Sequence, residues 1–119
     1  MATLIRYEVR GRITIKGEQP KFNGDEILYV SVRDSLRHDV PCIELGSQTI
    51  RLYRGQSLPI HYQFLYDPYK AHMKFSELKS IPGGITLSAG IERNENLLYI
   101  NDTDISLADN IDIQLVKVE

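Results

Sequence analysis

Histidines, a lone cysteine and an aspartate-rich stretch are the side chains of this chain that could carry metal or nucleophilic chemistry. A protein zinc site needs several His or Cys ligands brought together, and His38, His61 and His72 have no second His or Cys at ligand spacing. They read as solvated imidazoles. Cys42 sits between Pro41 and Ile43 in an apolar stretch. A reactive thiolate needs an accessible, electropositive setting, so this thiol reads as buried and inert. Asp102, Asp104, Asp109 and Asp112 offer hard oxygen ligands suited to calcium, but their spacing is not that of an EF-hand loop. Turns in which Asx side chains bond their own backbone account for the same residues. Asn101-Asp102-Thr103 matches an N-glycosylation acceptor, which matters only in a secretory pathway. Neither a G-x-S-x-G elbow nor a glycine-rich phosphate loop occurs. The expectation is a non-enzymatic protein with no catalytic residues, no metal and no cofactor.

The elements that would position these residues have a period of two. In Tyr7–Lys16, Tyr7, Val9, Ile13 and Ile15 fall on one face and Arg6, Glu8, Arg10 and Arg12 on the other, which is a strand with one wet side. Gly11 lies on the apolar face and predicts a bulge or a close approach. Glu26–Asp34 is apolar on both faces at its centre and reads as an interior strand. Further strands are expected at Ser47–Arg54, Leu58–Tyr66, Gly84–Glu92, Leu97–Asn101 and Ile111–Val118, with Asn94-Glu95-Asn96 as a hairpin turn. Pro59, at the start of Leu58–Tyr66, marks a strand beginning or a sheet edge. Only Tyr69–Ile81 departs from the rhythm. Its mixed pattern suits about two helical turns in a crossover, ended by Pro82-Gly83-Gly84. The fold class expected is therefore all-β, an antiparallel β-sandwich of about seven strands with one short helical crossover. Its predicted core is Val9, Ile13, Ile15, Leu28, Val30, Val32, Ile60, Tyr62, Phe64, Ile85, Leu87, Ile91, Ile113 and Leu115.

Composition sets the wider limits. The 119 residues suit one domain spanning 1–119, and 42% hydrophobic with 25% charged residues argues against disorder. A net charge of −2 is too mild to suggest nucleic acid as a partner. With one cysteine, no intrachain disulfide can form. Arg6, Glu8 and Arg10 interrupt the start of the chain too early for a signal peptide. As written the chain reads as cytosolic; a removed leader would instead make it periplasmic or membrane-anchored.

Several blocks resemble the YbaY-type domain family, which also contains the YscW-type pilotin lipoproteins of type III secretion. They are Gly11-Arg12-Ile13, the strand Leu28–Asp34 with Ser35, and Asp39-Val40-Pro41. Pro59, Tyr62, Tyr66, Asp67 and Pro68 follow. Leu97, Leu98, Tyr99, Asn101, Asp102 and Thr103 complete the set. The resemblance spans roughly residues 9 to 107 with its blocks in order. It implies a transthyretin-like β-sandwich. The pilotin branch binds a secretin's C-terminal segment and escorts it to the outer membrane, so a protein or peptide partner is implied. Two departures stand out: no lipidation cysteine precedes Cys42, so a membrane link would need an anchor absent from this sequence, and the 69–83 crossover is long. A related sandwich enzyme, hydroxyisourate hydrolase, ends in Y-R-G-S. Here Tyr53-Arg54-Gly55-Gln56 lies mid-chain with the motif broken, which argues against that activity.

The function expected from these readings is a binding or escort domain holding a partner protein or peptide. Strand addition at an edge would place Pro59, His61, Gln63, Tyr53 and Tyr69 at the binding surface. The alternative is a small-molecule or carbohydrate-binding β-sandwich, with Tyr53, Tyr69 and Tyr99 as stacking platforms.

Overall fold

The computed structural model describes residues 7–17, 19–35, 43–103, 105–108 and 110–118. Through them run β1 (Glu8–Ile15), β2 (Glu26–Asp34), β3 (Ile43–Arg51), β4 (Ile60–Leu65), β5 (Ile85–Arg93), β6 (Asn96–Ile100), β7 (Ile105–Ser106) and β8 (Ile113–Lys117). Between β4 and β5 lie a 3-10 turn at Pro68–Lys70 and a six-residue helix, α1 (Phe75–Ser80). The protein is all-β with a short helical crossover. No helix among the described residues is long and apolar enough to cross a membrane.

The strands hydrogen-bond in the order β3-β2-β5-β6-β8-β1-β4, with β7 beside β5. A sandwich would keep its two layers separate; here β8 serves both. Ile113–Leu115 pair in parallel with Ile13–Ile15 of β1, while Val116 and Lys117 pair antiparallel with Ile100 and Tyr99 of β6. A strand shared in this way turns two layers into one curled, barrel-like sheet. It also supplies the one parallel strand pair among the described residues, the others being antiparallel. The eighth strand beyond the seven expected is β7, whose two residues are too short to show a pattern.

The predicted core is buried throughout, which places the inward faces of β1, β2, β4, β5 and β8 where the alternation puts them. Phe22, Leu45 and Leu78 join it from outside the expected strands, and Leu52 from the expected strand Ser47–Arg54. Gly11 is required by a close approach. A Cβ built there would stand 1.7 Å from the Ile111 carbonyl oxygen, where the chain entering β8 crosses β1. The β5–β6 hairpin turns through Asn94 and Glu95 with φ of 51° and 70°. Two successive left-handed residues make a type I′ turn, whose twist suits a two-residue hairpin.

Three contacts tie the crossover to the sheet. Leu78 of α1 is fully buried. The Phe75 ring lies 6.0 Å from that of Tyr7 and 5.9 Å from that of Tyr66. The Asp34 carboxylate, at the end of β2, accepts from the backbone N–H of His72 at 2.9 Å and also pairs with its ring Nδ1. His72 was expected to be solvated. Its side chain is only 19% exposed, because the crossover folds it against the buried Asp34.

Candidate functional site

β3 and β4 are the two ends of the hydrogen-bonded path, and they face each other. The main chain shows which groups are left over. Tyr66 N–H donates to Tyr7 O at 2.9 Å. Antiparallel strands alternate, so Phe64, Tyr62 and Ile60 bond inward to β1 while Leu65, Gln63, His61 and Pro59 turn outward. Pro59 therefore stands where its missing N–H removes no bond to β1. By the same alternation from Leu52 N–H, which donates to Glu26 O, the outward residues of β3 are Arg51, Thr49 and Ser47.

Between these edges runs a seam that closes at one end. The register shift between Val32 and Arg33 leaves Leu45 without a partner on β2. Its carbonyl instead accepts from Asp67 N–H at 2.9 Å. Gly46 allows the approach, since a Cβ there would stand 2.6 Å from Leu65 O and 2.7 Å from the Tyr66 Cα. Further along, main chain no longer reaches main chain. Gln63 N–H donates to the side-chain Oε1 of Gln48 at 2.9 Å. The seam widens there by roughly a side chain. Beyond Gln48 no hydrogen bond joins β3 to β4 among the described residues.

The open part of the seam meets a groove of about 650 Å³. Arg10, Arg12, His61, Gln63, Gln48 and Asp112 are among its lining residues. Arg12 is held by Asp112, with Nη2 at 2.7 Å from Oδ2, and the backbone N–H of Arg12 donates to Oδ1 at 3.1 Å. The Asp112 carboxyl lies below its ordinary value because of the hydrogen bond and charge of Arg12, and the Arg12 guanidinium is raised by the same bond. Tyr62 forms the floor, its O–H donating to Ile111 O at 2.5 Å. Burial first, and the charge of Asp112 second, push its hydroxyl up to about 12, so it stays protonated and donating at neutral pH. Arg10 forms no ion pair with another described residue.

His61 and Gln63, two of the residues predicted for binding, thus share one groove. Pro59 is exposed at the start of β4, outside it. Tyr53, 61% exposed after β3, and Tyr69, 88% exposed in the 3-10 turn, do not line it either. Tyr99 lies in a different groove of about 350 Å³ with Leu97, Arg93 and Val118. The tyrosines expected as stacking platforms are therefore not gathered at this groove. Arg10, Arg12 and Gln48 were not singled out from the sequence. The two arginines looked like an ordinary wet strand face, and nothing in the sequence brings Gln48 opposite Gln63.

The other candidate chemistry resolves into structure. Asp112 is committed to Arg12, and Asp102 is exposed. Asn101 accepts from Ala89 N–H at 2.9 Å and donates to Thr103 O at 3.0 Å, so both ends of its amide serve the fold. The predictions for His38, Cys42, Asp104 and Asp109, and the Asp39-Val40-Pro41 block, lie outside the described residues. The His72 ring bonds Asp34, and no hydroxyl or thiol is hydrogen-bonded to it among the described residues. A buried carboxylate that sequence reasoning missed is Glu26, fully covered at the start of β2. It accepts from the backbone N–H groups of Asn23 and Gly24 at 3.0 Å and Asp25 at 3.2 Å, and pairs with Arg93. Burial alone would raise its pKa; these donors and Arg93 outweigh burial and hold it at about 2.

No known family profile matches the chain, and no curated protein matches it. Among solved structures it is similar to an alternative pilotin from the type II secretion system of Vibrio cholerae. The two superpose with a TM-score of 0.73 at 18% identity, over 94% of this chain and 96% of the other. At that identity the likeness shows the fold, and the fold is pilotin-like.

Proposed function

We propose that this protein is a non-catalytic escort domain that holds a segment of a partner protein at the β4 edge and the groove beside it. The observation that carries the reading is the unclosed seam: two end strands of a barrel-like sheet approach, bond at Leu45–Asp67, and then part. Outward main-chain groups on His61 and Gln63, past the closed end of the seam, are what strand addition needs, and it asks for no nucleophile or metal. The pilotin-like fold supports a partner-holding role. The resemblance of its sequence blocks to the YbaY-type family and its pilotin branch supports a finer reading, in which the partner is a secretin and the bound part its C-terminal segment.

The test is amide hydrogen exchange with and without peptides covering the C-terminal region of a secretin from the same source. Protection should appear at His61 and Gln63. Replacing Gln63 by Pro should abolish it, because the donor facing the seam is lost. Peptides that bind while leaving these amides unprotected would refute the edge as the site.

A further inference from the structure

We propose that the seam selects an extended segment bearing a carboxylate, whose backbone carbonyl takes Gln63 N–H from Gln48 and whose acidic side chain pairs with Arg10. This rests on the partner-holding reading and specifies the segment it would hold.

The first part follows from the Gln48 contact. In a continued sheet, the outward N–H of Gln63 would bond a carbonyl of the next strand. Here Gln48 Oε1 stands in that place at 2.9 Å. A side-chain amide is a removable substitute. It keeps the donor satisfied while the seam is empty, and swings aside when a main-chain carbonyl arrives. Thr49 and Arg51 on the opposite edge turn their own main-chain groups towards the same gap, so an entering strand meets partners on both sides.

The second part follows from charge. Arg10 lies directly across the β1–β4 ladder from Gln63. Both are exposed, and both line the groove. A strand added outside β4 would lie two strand spacings from β1, roughly 10 Å away. That is within the combined reach of an arginine and a glutamate side chain. The acid in the groove, Asp112, is bound by Arg12 through both oxygens, and His61 adds no negative charge. Among the described residues no carboxylate pairs with Arg10, a cation beside an open edge. A neutral or basic side chain opposite Gln63 would leave it so, whereas a carboxylate would neutralise it.

Two blocked nine-residue peptides test this, alternating threonine and valine with a central glutamate in one and a central glutamine in the other. Binding is read by fluorescence anisotropy, and its location by the amide resonances of His61 and Gln63. The glutamate peptide should bind roughly twofold to fivefold tighter, the range of a partly exposed ion pair. Arg10→Gln, and high salt, should erase that preference. Gln48→Ala should tighten both peptides, since nothing then competes for Gln63 N–H. Equal affinity of the two peptides with both amides shifted would overturn the acidic preference and leave the partner-holding reading standing. Unchanged affinity in Gln48→Ala would overturn the displacement step. Amides left unmoved by these peptides but protected by the secretin segment would overturn the proposal alone; amides unmoved by both would overturn the partner-holding reading with it.

Discussion

Replacing Glu26 by Gln should remove a large part of the stability of this fold, in a way that depends on pH. The carboxylate is fully buried, accepts three backbone N–H groups of the Asn23–Asp25 turn, and pairs with Arg93. These contacts hold its pKa at about 2, against an ordinary 4.5. At about 1.4 kcal/mol per pH unit, that interval corresponds to about 3 kcal/mol of stability. Because the folded value is depressed, the contribution is complete above pH 4.5 and is lost as pH falls towards 2. Gln keeps the shape but carries no charge, and its NH2 group cannot accept from the turn donors. It also leaves Arg93 facing a neutral group, the situation in which breaking a buried pair is costly. Urea unfolding of both proteins from pH 7 down to pH 2 is the assay. The Gln variant should be less stable by about 3 kcal/mol at pH 7, and the gap should shrink through the acid range until it is small near pH 2. A gap below about 1 kcal/mol at pH 7, or one constant across the range, would refute the claim that charge on Glu26 anchors the turn.

Gly11→Ala should cost about 3 kcal/mol or more in thermal unfolding, since its Cβ would stand 1.7 Å from Ile111 O; a near-neutral variant would mean that the crossing of β1 relaxes freely. His72→Ala should cost about 1–3 kcal/mol by removing one of the two bonds to Asp34, and should speed amide exchange across α1 relative to β2. Uniform acceleration everywhere would show that the contact does not hold the crossover locally. Adding millimolar calcium, or EDTA, should leave the Tm unchanged, because Asp112 is already occupied by Arg12; a clear rise with calcium would reveal a bound ion.

What the sequence determined was which residues face inward and which element type each segment takes. Alternation in β1, β4 and β5 named their buried faces correctly, because a strand with one wet side must repeat every second residue. Pro59 marked β4 as an edge for a local reason: it cannot donate. Gly11 marked the close approach because the carbonyl of Ile111 leaves no room for a Cβ. Signals of this kind lie within one strand or one turn. Tertiary structure decided how the strands join. Nothing in Ile113–Lys117 shows that its first half pairs with β1 and its second with β6, yet that division makes the sheet barrel-like. Gln48 and Gln63 meet across the seam only because the β3 bulge turns Leu45 to Asp67 and sets the spacing of both edges. Arg10 comes to face an open edge through its register with Gln63. Periodicity records the face on which a side chain lies; it carries no record of which distant strand lies beside it, and this candidate site is made of such neighbours.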